Sequence, residues 1–121
     1  MIVYRFEGKN SNTGVYRLLR TDPYLSTYYY GKAISRLVAH PNPLDDGIRD
    51  FDDDEFCGFS SLGKLKRWFT LKDLTEFAKS GSVYFAIYKS LYVRHGSKQV
   101  VFKRKTARLV SRCKMGCLSL L

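Results

Sequence analysis

Residues 57–81, CGFSSLGKLKRWFTLKDLTEFAKSG, contain two short amphipathic runs in succession. The first run has apolar residues at helical spacing and cations at most of the remaining positions. Its apolar stripe is formed by Leu62, Leu65, Trp68 and Phe69. Residues 70–73, TLKD, resemble a capping box that begins a second helix, and Gly81 suits the end of that helix. The segment therefore predicts two consecutive helices.

A serine pair, Ser60 and Ser61, stands directly before the first run. A serine at this position accepts a hydrogen bond from a free N–H of the first helical turn, which stabilises a helix by about 1 kcal/mol. That role needs no ligand. The alternative is that the pair lines a binding site, so the sequence favours a helix cap and leaves a site as the second interpretation.

Strand-like runs flank the helical segment on both sides. At the N-terminus, residues 2–7 and 15–19 surround a Gly/Asn/Ser turn, which is typical of a β-hairpin. Three further runs rich in β-branched and aromatic residues, with a turn at residues 94–97 between the first two, follow the helices. They are residues 82–88, 99–102 and 107–110.

These runs predict an α+β fold class, because strands and helices are grouped and do not alternate as βαβ units. The chain has 121 residues, enough for one domain. We therefore expect a single compact domain over residues 1–121, with an N-terminal β-hairpin, two or three short helices and C-terminal antiparallel strands. Residues 33–38, AISRLV, have the spacing of the third helix.

Charge is unevenly distributed along the chain. Lysine and arginine total 21 against 11 acidic residues, which gives a formal net charge of +10. Residues 41–56 form an acidic loop with a balance of −6, whereas residues 57–121 carry +12. The basic half indicates attraction to nucleic acid, an acidic protein surface or a phosphate-bearing ligand. The acidic loop is either a solvated surface loop or an intramolecular counterweight to the basic surface.

Eight cations and three tyrosines are the candidate contacts for such a partner, since cations bind phosphates and aromatic rings stack on bases. The cations are Lys64, Lys66, Arg67, Lys103, Arg104, Lys105, Arg108 and Arg112. The aromatic contacts are Tyr28, Tyr29 and Tyr30, for which packing in the fold is the simpler alternative. If residues 103–105 continued a strand, Arg104 would face away from its two neighbours.

Common catalytic and metal-binding patterns are absent from the sequence. Cys113 and Cys117 have no second Cys/His pair with which to complete a zinc site, and with Cys57 they make an odd count that is typical of a reduced, intracellular protein. No apolar run approaches the ~20 residues of a membrane-spanning helix. Neither a Ser/His/Asp set nor a nucleotide-binding fingerprint is present, so the sequence favours a binding protein over an enzyme and predicts no metal and no cofactor.

One order of short motifs resembles the ADP-ribosyltransferase family: VYR in an early strand, FSS before a helix, then KQVVF followed by ARLV. The resemblance implies an NAD-binding cleft in which Arg5 or Arg17 grips phosphate and Ser60 and Ser61 support the nicotinamide side. Gln99 would stand where that family has its catalytic glutamate. A neutral amide stabilises a developing oxocarbenium ion less well than a carboxylate does, so the resemblance implies an NAD-binding protein that is active or degenerate.

The GFSSL…LKRWF and QVVF layout also resembles small proteins carried by bacteriophages and prophages. This resemblance implies a protein of the bacterial host cytoplasm that binds or inhibits a host factor, including nucleic-acid-handling defence systems. The expected partner is therefore a host protein, a nucleoprotein complex or nucleic acid itself, with no membrane involved.

Overall fold

A computed structural model describes residues 1–10, 14–29 and 54–115 of the chain. In these ranges the strands are β1 (Ile2–Glu7), β2 (Glu55–Gly58), β3 (Tyr84–Lys89), β4 (Val93–His95), β5 (Val100–Lys103) and β6 (Arg108–Lys114). The helices are α1 (Val15–Thr21), α2 (Pro23–Tyr29), α3 (Leu62–Trp68) and α4 (Leu71–Ser80), and a 3₁₀ turn spans Arg104–Thr106. The predicted α+β fold class is confirmed.

The described strands form two antiparallel sheets of three strands each. The first has the order β1-β3-β6 and the second the order β2-β5-β4. A single antiparallel bridge joins them, because Tyr4 and Phe59 exchange two backbone N–H···O bonds of 2.8 Å each. Phe59 directly follows Gly58, the last residue of β2, so the chain leaves the second sheet and contacts β1 of the first sheet within one residue. Strands β1 and β2 are therefore very close at this point.

Two apolar cores lie on opposite faces of the first sheet. On one face, Phe6 and Phe85 pack against the helices together with Phe69 and Phe77. The ring centroids of Phe6, Phe69 and Phe77 lie 5.3–5.5 Å apart in edge-to-face contacts. The opposite face packs on the second sheet through a smaller core. That core consists of Val3, Ala86, Tyr88, Val100 and Phe102.

The prediction of an N-terminal β-hairpin is wrong. Residues 15–21 form helix α1, and among the described residues only one bridge, between Glu7 and Gly14, remains of the hairpin. The reason lies in the spacing of Val15 and Leu18, which are three residues apart and both contact the helical core. A helix places these two side chains on one face, whereas a strand would direct them to opposite faces.

The three predicted C-terminal strands are present as β3, β5 and β6, but they divide between two sheets. The predicted turn at residues 94–97 is partly wrong, since Val93–His95 form β4. The loop assigned to residues 41–56 overlaps β2, which begins at Glu55. Its residues 41–53 lie outside the described part of the chain, as does the helix predicted over residues 33–38.

The two consecutive helices predicted from residues 57–81 are confirmed. Thr70 begins α4 with both halves of a capping box: the Asp73 N–H donates to its hydroxyl at 3.2 Å, and its own N–H donates to the Asp73 carboxylate at 2.9 Å. Gly81 ends the helix with φ of 71°, in the left-handed region that glycine adopts without strain. Helix α3 is capped by Ser61, whose hydroxyl accepts the Lys64 N–H at 3.1 Å.

None of the helices in the described ranges has the length and hydropathy needed to cross a membrane.

The serine pair gives a matched test of the cap. We expect Ser61→Ala to lower the free energy of unfolding by about 1 kcal/mol, because the Lys64 N–H loses its acceptor. Ser60→Ala is expected to stay within about 0.5 kcal/mol of the natural protein, because Ser60 is only half-buried and the cap hydrogen bond belongs to Ser61. Urea unfolding followed by circular dichroism measures both, and equal losses would contradict the assignment of the cap to Ser61.

Candidate functional site

A basic cleft opens between helix α3 and the turn that joins β4 to β5. Its volume is about 290 Å³, and it is lined by Lys64, Arg67, Trp68, Ser97 and Lys98. This volume is at the lower end of the ~300–1,000 Å³ range of small-ligand sites. Helix α3 places its cations there because Leu65 and Trp68 on the same helix turn into the core, which leaves Lys64 and Arg67 at the edge.

The electrostatics of the cleft favour an anion. Three of its five lining residues are cations, and none of the lining residues within the described ranges is acidic. Lys64 and Arg67 form no ion pair with a carboxylate of the described residues, and the Arg67 Nε–H donates to the Gly63 carbonyl at 3.3 Å. Trp68 adds an aromatic wall, although only 6% of its surface is exposed. The arrangement can hold phosphate oxygens beside a flat apolar group.

A second group of charges is buried between the two sheets. Glu7 is fully buried, and its carboxylate accepts hydrogen bonds from Arg5 Nε at 3.1 Å and from the Tyr88 hydroxyl at 2.8 and 2.9 Å. Arg112 donates to the same carboxylate through Nε at 2.9 Å and Nη2 at 2.5 Å. We call these four residues the Glu7 cluster. One carboxylate thus pairs with two arginines from different strands.

Burial sets the protonation behaviour of the cluster. It lowers the pKa of Arg5, an effect that the nearby Glu7 carboxylate partly offsets. Burial and the hydrogen bond to Glu7 raise the pKa of Tyr88, so its hydroxyl stays protonated and acts as a donor. Arg5 also donates through Nη1 to the Cys57 carbonyl at 2.8 Å. The cluster therefore connects β1, β3 and β6 to β2, and its role is to hold the two sheets together.

The acidic segment ends in a further ion pair. Glu55 is buried and accepts from Arg94 Nε at 2.9 Å and Nη2 at 2.7 Å, a bidentate pair across the second sheet. The Arg104 N–H donates to the Asp54 backbone carbonyl at 2.9 Å, and the Lys105 N–H donates to the Asp54 carboxylate at 3.3 Å. For Glu55, the intramolecular counterweight is the interpretation that the ion pair supports.

Comparison with known proteins gives one result. A family model described as the bacteriophage T4 Y00F protein matches residues 1–116. The chain belongs to this family. No curated protein and no solved structure gives a significant match to it. The resemblance to small phage proteins is thereby confirmed, and none of the comparisons points to an ADP-ribosyltransferase.

The predicted basic contacts of this Y00F-family chain fall on three parts of the fold. On α3, Lys64 and Arg67 line the cleft, whereas Lys66 is exposed and does not line it. Around the end of β5, Lys103 lies over the Tyr92 ring at 4.8 Å, Arg104 lies over the Tyr88 ring at 5.1 Å, and Lys105 is exposed. On β6, Arg108 is exposed, whereas Arg112 belongs to the Glu7 cluster.

The aromatic contacts predicted at residues 28–30 are not placed by the structure. Tyr28 and Tyr29 are the last two residues of α2, and the structure describes their backbone but not their side chains. Tyr30 lies outside the described part of the chain. Sequence reasoning missed Ser97 and Lys98 as cleft residues and treated Trp68 only as a core residue. Nothing in the local sequence signals that a turn residue will meet a helix about thirty positions earlier.

Arg5 and Ser61, two residues of the alternative NAD cleft, have other roles in the described structure. Arg5 is only 7% exposed and is bound to Glu7 and to a backbone carbonyl. Arg17 lies on helix α1, and Ser61 caps α3. Gln99 is 5% exposed in the turn before β5. A guanidinium held in this way does not present its donors to a phosphate, so these positions lend the NAD interpretation no support.

The cysteines and acids form no metal centre in the described ranges. No group of three or more His, Cys, Asp and Glu side chains in these ranges is arranged to hold an ion. Cys57 and Cys113 are free thiols, and Cys117 lies outside the described residues. Burial raises the pKa of Cys57 to about 11, although the neighbouring Arg5 opposes this shift. At neutral pH its thiol is therefore protonated and a weak nucleophile.

Proposed function

We propose that this phage protein binds single-stranded nucleic acid, in the bacterial host cytoplasm, as part of its docking on a host nucleic-acid-handling complex. The observation that supports the proposal best is the cleft at α3, which Lys64, Arg67 and Lys98 line together with Trp68. Binding alone performs this function, so the proposal needs no catalytic residue and no cofactor.

The chemistry of the cleft matches that of a nucleotide within a chain. Lysine and arginine supply charge-assisted contacts to phosphate oxygens, and the small exposed part of Trp68 offers an apolar contact to a base or sugar. The cleft is concave and about 290 Å³ in volume, which suits one phosphate with its nucleoside. A duplex presents its phosphates on a convex cylinder and fits such a concavity less well. Single strands can splay one nucleotide into it.

A further cation extends the attraction beyond the cleft. Lys66 lies on the same helix, α3, and does not line the cleft. With a formal net charge of +10, the chain accelerates and strengthens encounters with any polyanion at low ionic strength. Membership in a bacteriophage family supports a host complex as the place where such nucleic acid is met.

Salt-dependent binding to a fluorescent oligothymidylate tests the proposal. We expect Lys64→Gln combined with Arg67→Gln to weaken binding at about 50 mM salt by at least tenfold. The slope of the logarithm of the association constant against the logarithm of the salt concentration should become shallower by about 1.4. Each phosphate contact to a single strand contributes about 0.7 to that slope. Both effects follow from the loss of two phosphate contacts.

Lys66→Gln is the matched control, because it removes one charge from the same helix outside the cleft. It is expected to reduce affinity much less than the double variant does. Absence of binding by the natural protein at low salt would refute the proposal. A Lys66→Gln variant as weak as the double variant would show that general charge, and not the cleft, governs binding.

A further inference from the structure

Strand β6 forms an exposed edge of the first sheet. In the order β1-β3-β6 it is the outermost strand, and within the described ranges β3 is its only ladder partner. It is seven residues long, whereas β4, at the outer edge of the second sheet, has three. The residues of β6 from Arg108 to Ser111 are all exposed, with Val110 at 51% and Leu109 at 39%.

The backbone of β6 offers hydrogen bonds on its outer side. The Met115 N–H donates to the Val83 carbonyl of the neighbouring segment at 3.0 Å. Because peptide groups of an antiparallel strand alternate in direction, Cys113 and Ser111 also face β3, and Lys114 and Arg112 direct their N–H and C=O groups outward. Val110 is the additional residue of a bulge, since Ser111 pairs with Ile87 and Leu109 pairs with Tyr88. A partner strand would therefore find its pairing groups between the bulge and the end of β6.

We infer that β6 is a docking edge to which a partner protein adds an extended segment of alternating acidic and apolar residues. The charge of the edge selects the acid: β6 carries the exposed Arg108 and Lys114 and no acidic residue, whereas its third cation, Arg112, is held by Glu7. The exposed Lys89 lies opposite Arg108 in the register and adds a further exposed cation. The exposed Leu109 and Val110 supply apolar surface for the residues between the acids. Such strand addition takes affinity from backbone hydrogen bonds and specificity from alternate side chains.

A second copy of the chain is the wrong occupant for this edge. Antiparallel pairing of two β6 strands about Cys113, through the outward groups of Arg112 and Lys114, would place Arg112 of each copy opposite Lys114 of the other. Like charges directly across a strand pair are destabilising. Cations on edge strands commonly prevent such self-pairing, and an acidic partner strand removes the repulsion.

A synthetic fluorescent peptide of alternating glutamate and valine tests the inference by anisotropy. The control peptide keeps the glutamates and has proline in place of valine, so it carries the same charge but has fewer N–H donors with which to form a ladder. We expect the first peptide to bind and the control to bind at least tenfold more weakly. Arg108→Glu combined with Lys114→Glu should weaken binding of the first peptide by at least tenfold. Lys66→Glu on α3 should leave it nearly unchanged.

Hydrogen exchange on the natural protein provides a readout that does not depend on a variant. The peptide should protect amides within residues 108–114. Equal binding of both peptides, or protection confined to other strands, would overturn the inference. The inference would also be overturned if the purified natural protein sedimented as a dimer and the Arg108→Glu/Lys114→Glu variant sedimented as a monomer. The inference is independent of nucleic-acid binding, because Lys64→Gln combined with Arg67→Gln should weaken oligothymidylate binding at least tenfold and leave peptide binding unchanged.

Discussion

Replacing Glu7 by glutamine is expected to lower the free energy of unfolding by about 3–5 kcal/mol. The carboxylate is fully buried and is the shared acceptor for Arg5, Tyr88 and Arg112. A glutamine of the same size keeps the packing but supplies neither the charge nor a second acceptor oxygen. Arg5 would then remain buried without a counter-charge, which is the costly outcome when one partner of a buried ion pair is removed.

Urea unfolding monitored by Trp68 fluorescence measures this loss, and Glu76→Gln is its matched control. Glu76 is also buried, at 7% exposed, and accepts from the Tyr24 hydroxyl at 2.6 Å. Its cation is Lys79, which lies 3.7 Å away with a side chain that is 60% exposed, so losing the pair leaves no buried charge behind. We expect a loss of about 1 kcal/mol for Glu76→Gln. Equal losses for the two variants would contradict the role assigned to the Glu7 cluster.

The Glu7 cluster also shows why sequence reasoning failed to find it. Val3, Arg5 and Glu7 alternate along β1, and two charges on one face of a strand are typical of a solvent-exposed face. In the structure the second sheet covers that face, so the charges are buried and must satisfy one another. Which face is covered depends on packing between segments about fifty to one hundred residues apart. No local pattern carries that information.

The sequence was sufficient to predict those features that depend on residues close together in the chain. Thr70, Asp73 and Gly81 identified both ends of α4, since caps depend on atoms within one helical turn. Lys64 and Arg67 were found as candidates because the apolar stripe of α3 determines which side of the helix meets solvent. Lys98 and the strand character of residues 55–58 were missed, because each depends on a distant partner.

The close contact between the two sheets at the bridge predicts a second large loss of stability, caused by substitution of Gly58. A Cβ added here would overlap Val3 Cγ1 and would lie 3.1 Å from the Tyr4 carbonyl oxygen. Val3 is fully buried, and that carbonyl accepts the Phe59 N–H of the bridge, so neither has room to move. We expect Gly58→Ala to lower the free energy of unfolding by about 3 kcal/mol, at the upper end of the range for overpacking.

Two further variants separate this steric cause from a general effect of replacing glycine. Gly63 lies on α3, where an added Cβ has its nearest neighbours at 3.8 and 3.9 Å. Gly63→Ala should therefore be neutral or stabilise the protein by about 0.5–1 kcal/mol, because alanine favours a helix. Adding Val3→Ala to Gly58→Ala removes the overlapping methyl group. The loss of unfolding free energy in the double variant should therefore be at least about 1 kcal/mol smaller than the sum of the losses measured for Gly58→Ala and Val3→Ala alone. If urea unfolding instead gives strictly additive losses, the two sheets do not meet at Gly58 as closely as the bridge from Tyr4 to Phe59 requires.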